Sequence, residues 1–381
     1  MDLDELRAWL RLVLTPHIGP VTARTLLAAL GSPQAVFAAG VGVWTQLVPR
    51  REAAALATVP PALDAQVAAT QAWLAGGEGR SLLSLADPRY PRTLLDATNP
   101  PLLLFAQGRP ALLTAPAVAV VGSRHPTPQG GDNARAFARA LSEAGVTVVS
   151  GLARGIDAGA HEGALAGASR VPGRPGSTIA VVGTGLDQVY PKAHTALANR
   201  IAEQGLLLSE FLLGTGPLPA NFPKRNRIVA ALSRGTLVVE AAVQSGSLIT
   251  ARLALEMGRE VLAIPGSIHA PQARGCHALI RQGAKLVETA QDVLEELHLE
   301  RPAPGGQAEI DWEASPAQDA PDAAAEDPIL AAMGYDPVSQ EALSARTGWG
   351  PAELGARLLE LELTGQVARL PGQLFQRVAA A

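Results

Sequence analysis

Three short stretches bring together the residue types that hold a phosphate: Gly122-Ser123-Arg124, Asn221-Phe222-Pro223-Lys224-Arg225-Asn226-Arg227 and Ser245-Gly246-Ser247-Leu248-Ile249-Thr250. Small residues let a backbone approach an anion, a helix N-terminus aims N–H groups at it, and arginine supplies a planar cationic fork. Each stretch lies where an apolar run gives way to a helical pattern, or beside such a point, so together they outline an anion pocket. Lysine occurs only at Lys192, Lys224 and Lys285, so cationic work falls mainly on arginine, which suits bidentate phosphate contacts. Phe222, next to Lys224, Arg225 and Arg227, offers a ring for a base and charge for its phosphates, as a single strand requires. Its structural alternative is packing beneath the following helix. Arg124 either clamps a backbone phosphate or pairs with a carboxylate such as Asp157. Arg154, in Leu152-Ala153-Arg154-Gly155-Ile156-Asp157, either meets phosphate or ties its own loop through Asp157, the residue that reads as the N-cap of the next helix. Ser245, Gly246 and Ser247 open a helix and serve anion binding and plain capping equally well.

The elements that must position these residues are legible from Ala117 onward. Short β-rich runs, Ala117 to Val121, Val146 to Val149, Thr178 to Val182, Leu206 to Ser209, Thr236 to Glu240, Val261 to Ile264 and Lys285 to Val287, alternate with helical patterns. This alternation specifies an α/β fold, a Rossmann-like, doubly wound, mostly parallel sheet covered on both faces. Ala134, Phe137, Ala138 and Leu141 form one helical stripe, and Leu248, Ala251 and Leu255 another. Ligands of such sheets bind beyond the carboxyl ends of the strands. The loops there contain Gly122-Ser123-Arg124, Gly151 with Arg154, Gly183-Thr184-Gly185 and Pro265-Gly266-Ser267, and Lys192 follows just beyond the third.

Before the sheet, residues 1–80 read as a helical domain of the SAM or helix-hairpin-helix type, with His17-Ile18-Gly19-Pro20 breaking its first two helices. Residues 81–300 form the sheet domain, and 81–116 read as a segment connecting to it. Residues 301–327, rich in Pro, Ala, Gly and acids without periodicity, read as a disordered linker. Residues 328–381 read as a winged helix, with helices over Ser339 to Arg346 and Pro351 to Thr364 and a hairpin turning at Pro371-Gly372. Its would-be recognition helix carries Glu353, Glu360 and Glu362 against Arg357, a poor surface for a phosphate backbone.

A chain of 381 residues with 48% hydrophobic content is long enough for two or three well-cored domains. Its net charge of -4 argues against coating nucleic acid through bulk charge. No apolar run reaches the ~20 residues of a membrane span. The start Met1-Asp2-Leu3-Asp4-Glu5 is acidic where a signal peptide is basic, which places the chain in the cytoplasm and off the membrane. The single Cys276 excludes an intramolecular disulfide and a multi-cysteine zinc site, and no metal or cofactor is expected. A Walker A loop is excluded because no lysine follows a glycine, and Pro126 and Pro128 spoil a dinucleotide-binding turn. A Rossmann-type nucleotide phosphoribohydrolase, with Glu240 or Glu210 at the sugar, remains the enzymatic alternative, although Val243-Gln244-Ser245-Gly246-Ser247 stands where its Pro-Gly-Gly-x-Gly-Thr signature belongs.

In order along the chain, Val120 to Arg124, Ser150 to Asp157, Gly183 to Asp187, Tyr190-Pro191, Ser209-Glu210, Asn221 to Val229, Ser245 to Ala251 and Ile264 to Ser267 resemble the DNA-processing protein A (DprA/Smf) family. The resemblance spans roughly residues 87 to 297, and the flanking modules also occur in that family. It implies a non-enzymatic protein that binds single-stranded DNA, with double-stranded DNA left open. It also implies a homodimer that loads RecA onto the strand in natural transformation and recombination. By resemblance, Arg124 is a DNA ligand and Lys192 a phosphate-binding lysine. Relatives often carry a further basic residue where Leu218-Pro219-Ala220 stands here, a place Lys224 would have to fill. The helix from Cys276 to Gln282 is either core or the dimer contact, with His277, Leu279 and Ile280 as its candidate residues.

Overall fold

The computed structural model describes residues 1–168, 176–268, 270–299, 327–333 and 337–378; the expected linker lies outside them, apart from Asp327. Six helices come first: α1 (Leu3–Leu14), α2 (Pro20–Leu30), α3 (Pro33–Ala39), α4 (Val41–Leu47), α5 (Arg50–Leu56) and α6 (Leu63–Ala75). The Asp2 carboxylate accepts the Glu5 N–H to cap α1, and Pro20, which lacks an N–H to leave unpaired, starts α2 after the Gly19 turn. Trp9, Trp44 and Trp73 centre their core, which continues onto Leu82, Leu103 and Phe105.

The sheet has nine strands: β1 (Arg80–Ser84), β2 (Leu103–Gly108), β3 (Ala117–Val121), β4 (Thr147–Ser150), β5 (Thr178–Val181), β6 (Leu206–Ser209), β7 (Gly235–Val238), β8 (Glu260–Ala263) and β9 (Lys285–Leu286). Their order is β1-β2-β6-β5-β4-β3-β7-β8-β9, parallel from β6 to β9, with β2 antiparallel to β6 and β1 antiparallel to β2. Segment 81–116 is thus more than a connection, since most of β1 and all of β2 lie in it. Both strands are leucine-rich, and leucine favours helices in isolation. Pairing to the Leu206–Ser209 edge and burial under the N-terminal helices override that preference.

Helices α7 (Pro128–Glu143), α8 (Ile156–Ala166), α9 (Thr195–Gln204), α10 (Asn221–Leu232), α11 (Ser247–Glu256), α12 (Arg274–Arg281) and α13 (Ala290–Glu296) cover the sheet. The expected stripe of α7 is buried: Ala134, Phe137, Ala138 and Leu141 pack against the β3, β4 and β7 side chains. Burying Phe137 and Leu141 stabilises the layer by about 1.5–3 kcal/mol each. The chain winds outward from β3 through β6 and then returns to the other side of β3 to begin β7. That reversal makes a crevice beyond the carboxyl ends of β3 and β7.

The winged helix comprises α14 (Pro328–Met333), β10 (Val338–Ser339), α15 (Gln340–Thr347), α16 (Pro351–Leu363), β11 (Val367–Leu370) and β12 (Leu374–Arg377), its strands ordered β10-β12-β11. No helix among the described residues is long and apolar enough to cross a membrane.

Candidate nucleic-acid interface

An open cleft of about 470 Å³ occupies the crevice, lined by Gly122, Ser123 and Arg124 after β3, by Gly151 after β4, by Phe222 and Arg225 of α10, and by Ser245, Gly246 and Ser247 at the start of α11. The three stretches singled out by residue type therefore converge on one site. Its floor is rigid. Gly151 has no room for a side chain: a Cβ there would stand 2.2 Å from the Arg225 guanidinium. Arg225 is 4% exposed and donates to the Val181 carbonyl. Burial lowers its pKa to about 10, against the pull of Asp157, so it stays cationic at neutral pH.

The loop after β4 is held from within. Asp157 accepts the Gly151 and Ala153 N–H groups at 3.1 and 3.3 Å, and His161 Nε2 accepts the Leu152 N–H at 3.2 Å. Thr178 donates its hydroxyl proton to Val148, so its oxygen accepts from His161 Nδ1–H at 2.7 Å, which fixes the tautomer. Burial lowers the His161 pKa to about 3 and keeps the ring neutral. His194 Nδ1–H donates to the Leu152 carbonyl at 3.0 Å, so both backbone groups of Leu152, whose φ is 58°, are bound. Asp157 pairs with neither Arg124 nor Arg154. It lies in the first turn of α8, whose N-cap is Gly155, not at the N-cap itself, and these backbone bonds stand in place of the loop tie to Asp157 that was one of the two alternatives for Arg154. Arg154 itself is exposed beside the cleft.

Because the Ser123 N–H donates to the Glu240 backbone carbonyl and the His125 N–H to Ser123 Oγ, loop amides contribute less to anion binding than the glycine-serine composition implies. Ser245 and Ser247 are hydrogen-bonded to each other through their hydroxyls at 2.7 Å. Attraction then falls on Arg124, which is exposed and has no ion pair among the described residues. Its guanidinium carbon lies 6.0 Å from the Phe222 ring centroid, and the Tyr190 ring lies 5.5 Å from the same ring. Gly183 forms the shelf beneath Phe222, since a Cβ there would come within 3.0 Å of the ring. Phe222 is half-buried, with Tyr190 and Arg124 at its rim, and is not sunk beneath α10. In the sequence nothing marks Tyr190 beyond the Tyr190-Pro191 dipeptide; its place beside Phe222 depends on a fold contact between residues thirty-odd positions apart.

The basic run disperses. Arg227 points away from the cleft and forms a buried ion pair with Glu210, so it does not belong to the interface read from the sequence. Lys224 lies over Phe211 with its Nζ 5.3 Å from that ring. Lys192 is exposed on a single 3-10 turn, Lys192–His194, that follows Tyr190-Pro191, and it does not line the cleft. The carboxylates an enzymatic reading would require are engaged. Glu240 accepts the Thr127 N–H at 2.9 Å and its hydroxyl at 2.5 Å at the start of α7, and Glu210 holds Arg227. Of the dimer candidates, Leu279 belongs to the chain's own core, with Ile280 packed against that core, while His277 donates to the Gly266 carbonyl. Their packing makes α12 in large part a core helix. Cys276 is buried and its thiol is pushed up to about 12 by burial, as a structural cysteine requires.

Comparison with known proteins follows the same lines. The family described as DNA recombination-mediator protein A matches residues 81–298, a DprA winged helix domain matches 313–373, and a DprA-like N-terminal HHH domain matches 4–39. Protein Smf of Escherichia coli is 43% identical over 295 residues, covering 74% of each chain. The DNA processing protein DprA of Streptococcus pneumoniae is 49% identical over 213 residues, covering 56% of this chain and 73% of that protein. Its crystal structure superposes with a TM-score of 0.65, over 78% of this chain and 98% of that one, at 38% identity. A structure of DNA processing protein A from Helicobacter pylori, described by its single-stranded DNA binding mode, gives a TM-score of 0.51 at 31% identity, over 58% of this chain and 96% of that one.

Proposed function

The chain belongs to the DNA recombination-mediator protein A family, which gives it a role in DNA processing and recombination, and from that premise we propose that it holds single-stranded DNA in the cleft between β3 and β7 and delivers it to a recombinase of the RecA type. The observation that carries this reading is Arg124, a cation without a carboxylate partner among the described residues, beside the Phe222 and Tyr190 rings at the topological switch of the sheet. A base stacks on the exposed edge of the aromatic pair, Arg124 takes the adjoining phosphate, and Lys192, on the turn following Tyr190, takes the next one along the strand. Arg225 contributes fixed positive potential from the floor, and the serines at the start of α11 hydrogen-bond phosphate oxygens. The hydrogen-bonded β4–α8 loop keeps this geometry from relaxing when DNA is absent. A homodimer aligns two such clefts on one strand, raising the effective concentration of the second contact.

Fluorescence anisotropy of a labelled poly-dT strand, with wild type and an Arg124→Ala, Lys192→Ala double variant across a salt series, tests the reading. Loss of two phosphate contacts lowers the slope of log affinity against log salt by about 1.4, near 0.7 per contact on a single strand. An unchanged slope moves DNA binding out of the cleft. Delivery is read separately, as the rate at which RecA assembles on the bound strand; an equal rate with and without the protein rejects that step alone.

A further inference from the structure

Helix α16 is apolar on two opposite faces, and only one of them is used by the fold. Leu354, Leu358 and Leu361 are at most 2% exposed and form the inner face, packed with Ile329, Leu343, Val367 and Phe375. At 100° per residue, Ala352, Ala356, Leu359 and Leu363 fall on the opposite side, spaced i, i+4, i+7, i+11. Leu359 is 55% and Leu363 80% exposed. Glu353 and Glu360 flank this outer stripe on one side and Glu362 on the other. Arg357 is bonded to Asp327 and Glu360, which leaves Glu353 and Glu362, one on each side of the stripe, as the flanking carboxylates without an ion pair among the described residues. One exposed leucine is ordinary, but Leu359 and Leu363 stand one turn apart on a stripe completed by Ala352 and Ala356, and a contiguous apolar stripe with a charged border marks an interaction surface.

We propose that the outer face of α16 is a docking site for an amphipathic helix of a protein partner that is apolar along one stripe and basic at its edges. The spacing of the outer stripe is that of a helix-on-helix seam, and the flanking carboxylates select lysine or arginine on the incoming helix. Charge disfavours the other occupants. A second copy of α16 would set glutamate against glutamate. The chain's own linker sequence carries Glu309, Asp311, Glu313, Asp319, Asp322 and Glu326, the same sign again. Nucleic acid is repelled by the same two uncompensated carboxylates, Glu353 and Glu362, although this helix occupies the place from which winged helices commonly read DNA. The domain therefore uses its recognition helix for protein, which frees the sheet cleft to hold DNA at the same time.

The test uses the full-length chain and two labelled synthetic helical peptides, one with leucines at this spacing flanked by lysines and its twin with glutamate at every lysine. Wild type is expected to bind the lysine peptide and not its twin. Leu359→Ser with Leu363→Ser weakens that binding roughly tenfold or more, as removal of central apolar anchors does, while poly-dT affinity is unchanged. Glu353→Lys with Glu362→Lys exchanges the preference, and this gain of binding to the glutamate peptide cannot arise from misfolding. The proposal is overturned if the lysine peptide fails to bind, or binds wild type and the leucine variant alike. Loss of self-association or of duplex DNA binding in the leucine variant overturns it as well, because a second copy or DNA would then be the occupant.

Discussion

On the function proposed above, the sheet cleft and the winged helix exchange the roles their architectures suggest. The winged helix has the outline of a DNA reader, yet its exposed recognition helix carries leucines and glutamates, with its one arginine neutralised by Asp327 and Glu360. The sheet domain has the outline of a nucleotide-binding enzyme, yet its switch-point cleft presents an arginine without an ion pair among the described residues, beside two rings, and the nearby glutamates are engaged. Fold class sets where a ligand can sit; which ligand sits there is decided by the charges left without partners.

The sharpest way to break this contrast uses two arginines of one chain in opposite situations. Arg227→Ala leaves Glu210 buried without its cation and is expected to cost about 3–5 kcal/mol of stability, read by urea unfolding, with poly-dT affinity unchanged in the folded protein. Arg124→Ala is expected to do the reverse. If both variants lose DNA affinity without losing stability, the division of the basic run into a structural and a binding half is wrong.

Phe222→Ala comes next in size. Removing a stacking ring weakens single-strand binding by about 1–3 kcal/mol per base. Tyr190→Ala weakens it less, because that ring supports Phe222 from the side. Substituting Arg369, which lies over Phe375 on the wing, leaves poly-dT affinity as it was. An equal loss at Arg369 would put the two regions on the same strand and erase the distinction between them.

A pH-dependent effect tests what holds the cleft in shape. His161 stays neutral in the folded chain down to about pH 3, whereas an unfolded histidine takes up a proton near its ordinary value of 6.5. Its contribution is fully present above about pH 6.5 and is lost as pH falls toward 3, by roughly 1.4 kcal/mol per unit. The variant His161→Gln should lack this part of the acid dependence when urea midpoints are compared between pH 7 and pH 4. Superimposable curves would show that the β4–α8 loop is held by something other than the neutral imidazole. Least of all, Glu353→Ala on the winged helix should leave the salt slope of poly-dT binding unaltered, since it removes no phosphate contact.

Much of this arrangement was legible before the fold was known. The β3 strand, Ala117–Val121, coincides with its apolar run, and the α7 stripe, the start of α11 and the wing hairpin also lie where the pattern put them. Each depends on local sequence alone. What escaped depends on tertiary pairing. The leucine-rich β1 and β2 become strands only because the edge at β6 is available to them. The run from Lys224 to Arg227 looked like one basic patch, but an α-helix turns consecutive residues to different faces, sending Arg225 to the cleft floor and Arg227 to Glu210. Tyr190 could be found only by locating the ring beside Phe222 in space. The sequence did carry one signal for α16: leucines at Leu354, Leu358 and Leu361 and again at Leu359 and Leu363, more than a single buried face accommodates.

The most direct test of the central claim is photo-crosslinking of the full-length chain to an oligonucleotide carrying a single photoreactive thymine analogue, followed by mass spectrometry of the adducts. Adducts at Phe222 and Tyr190, abolished by unlabelled poly-dT, are the expected result. Adducts confined to the α1–α2 hairpin or to the winged helix, with none on α10 or beside Tyr190, would contradict it.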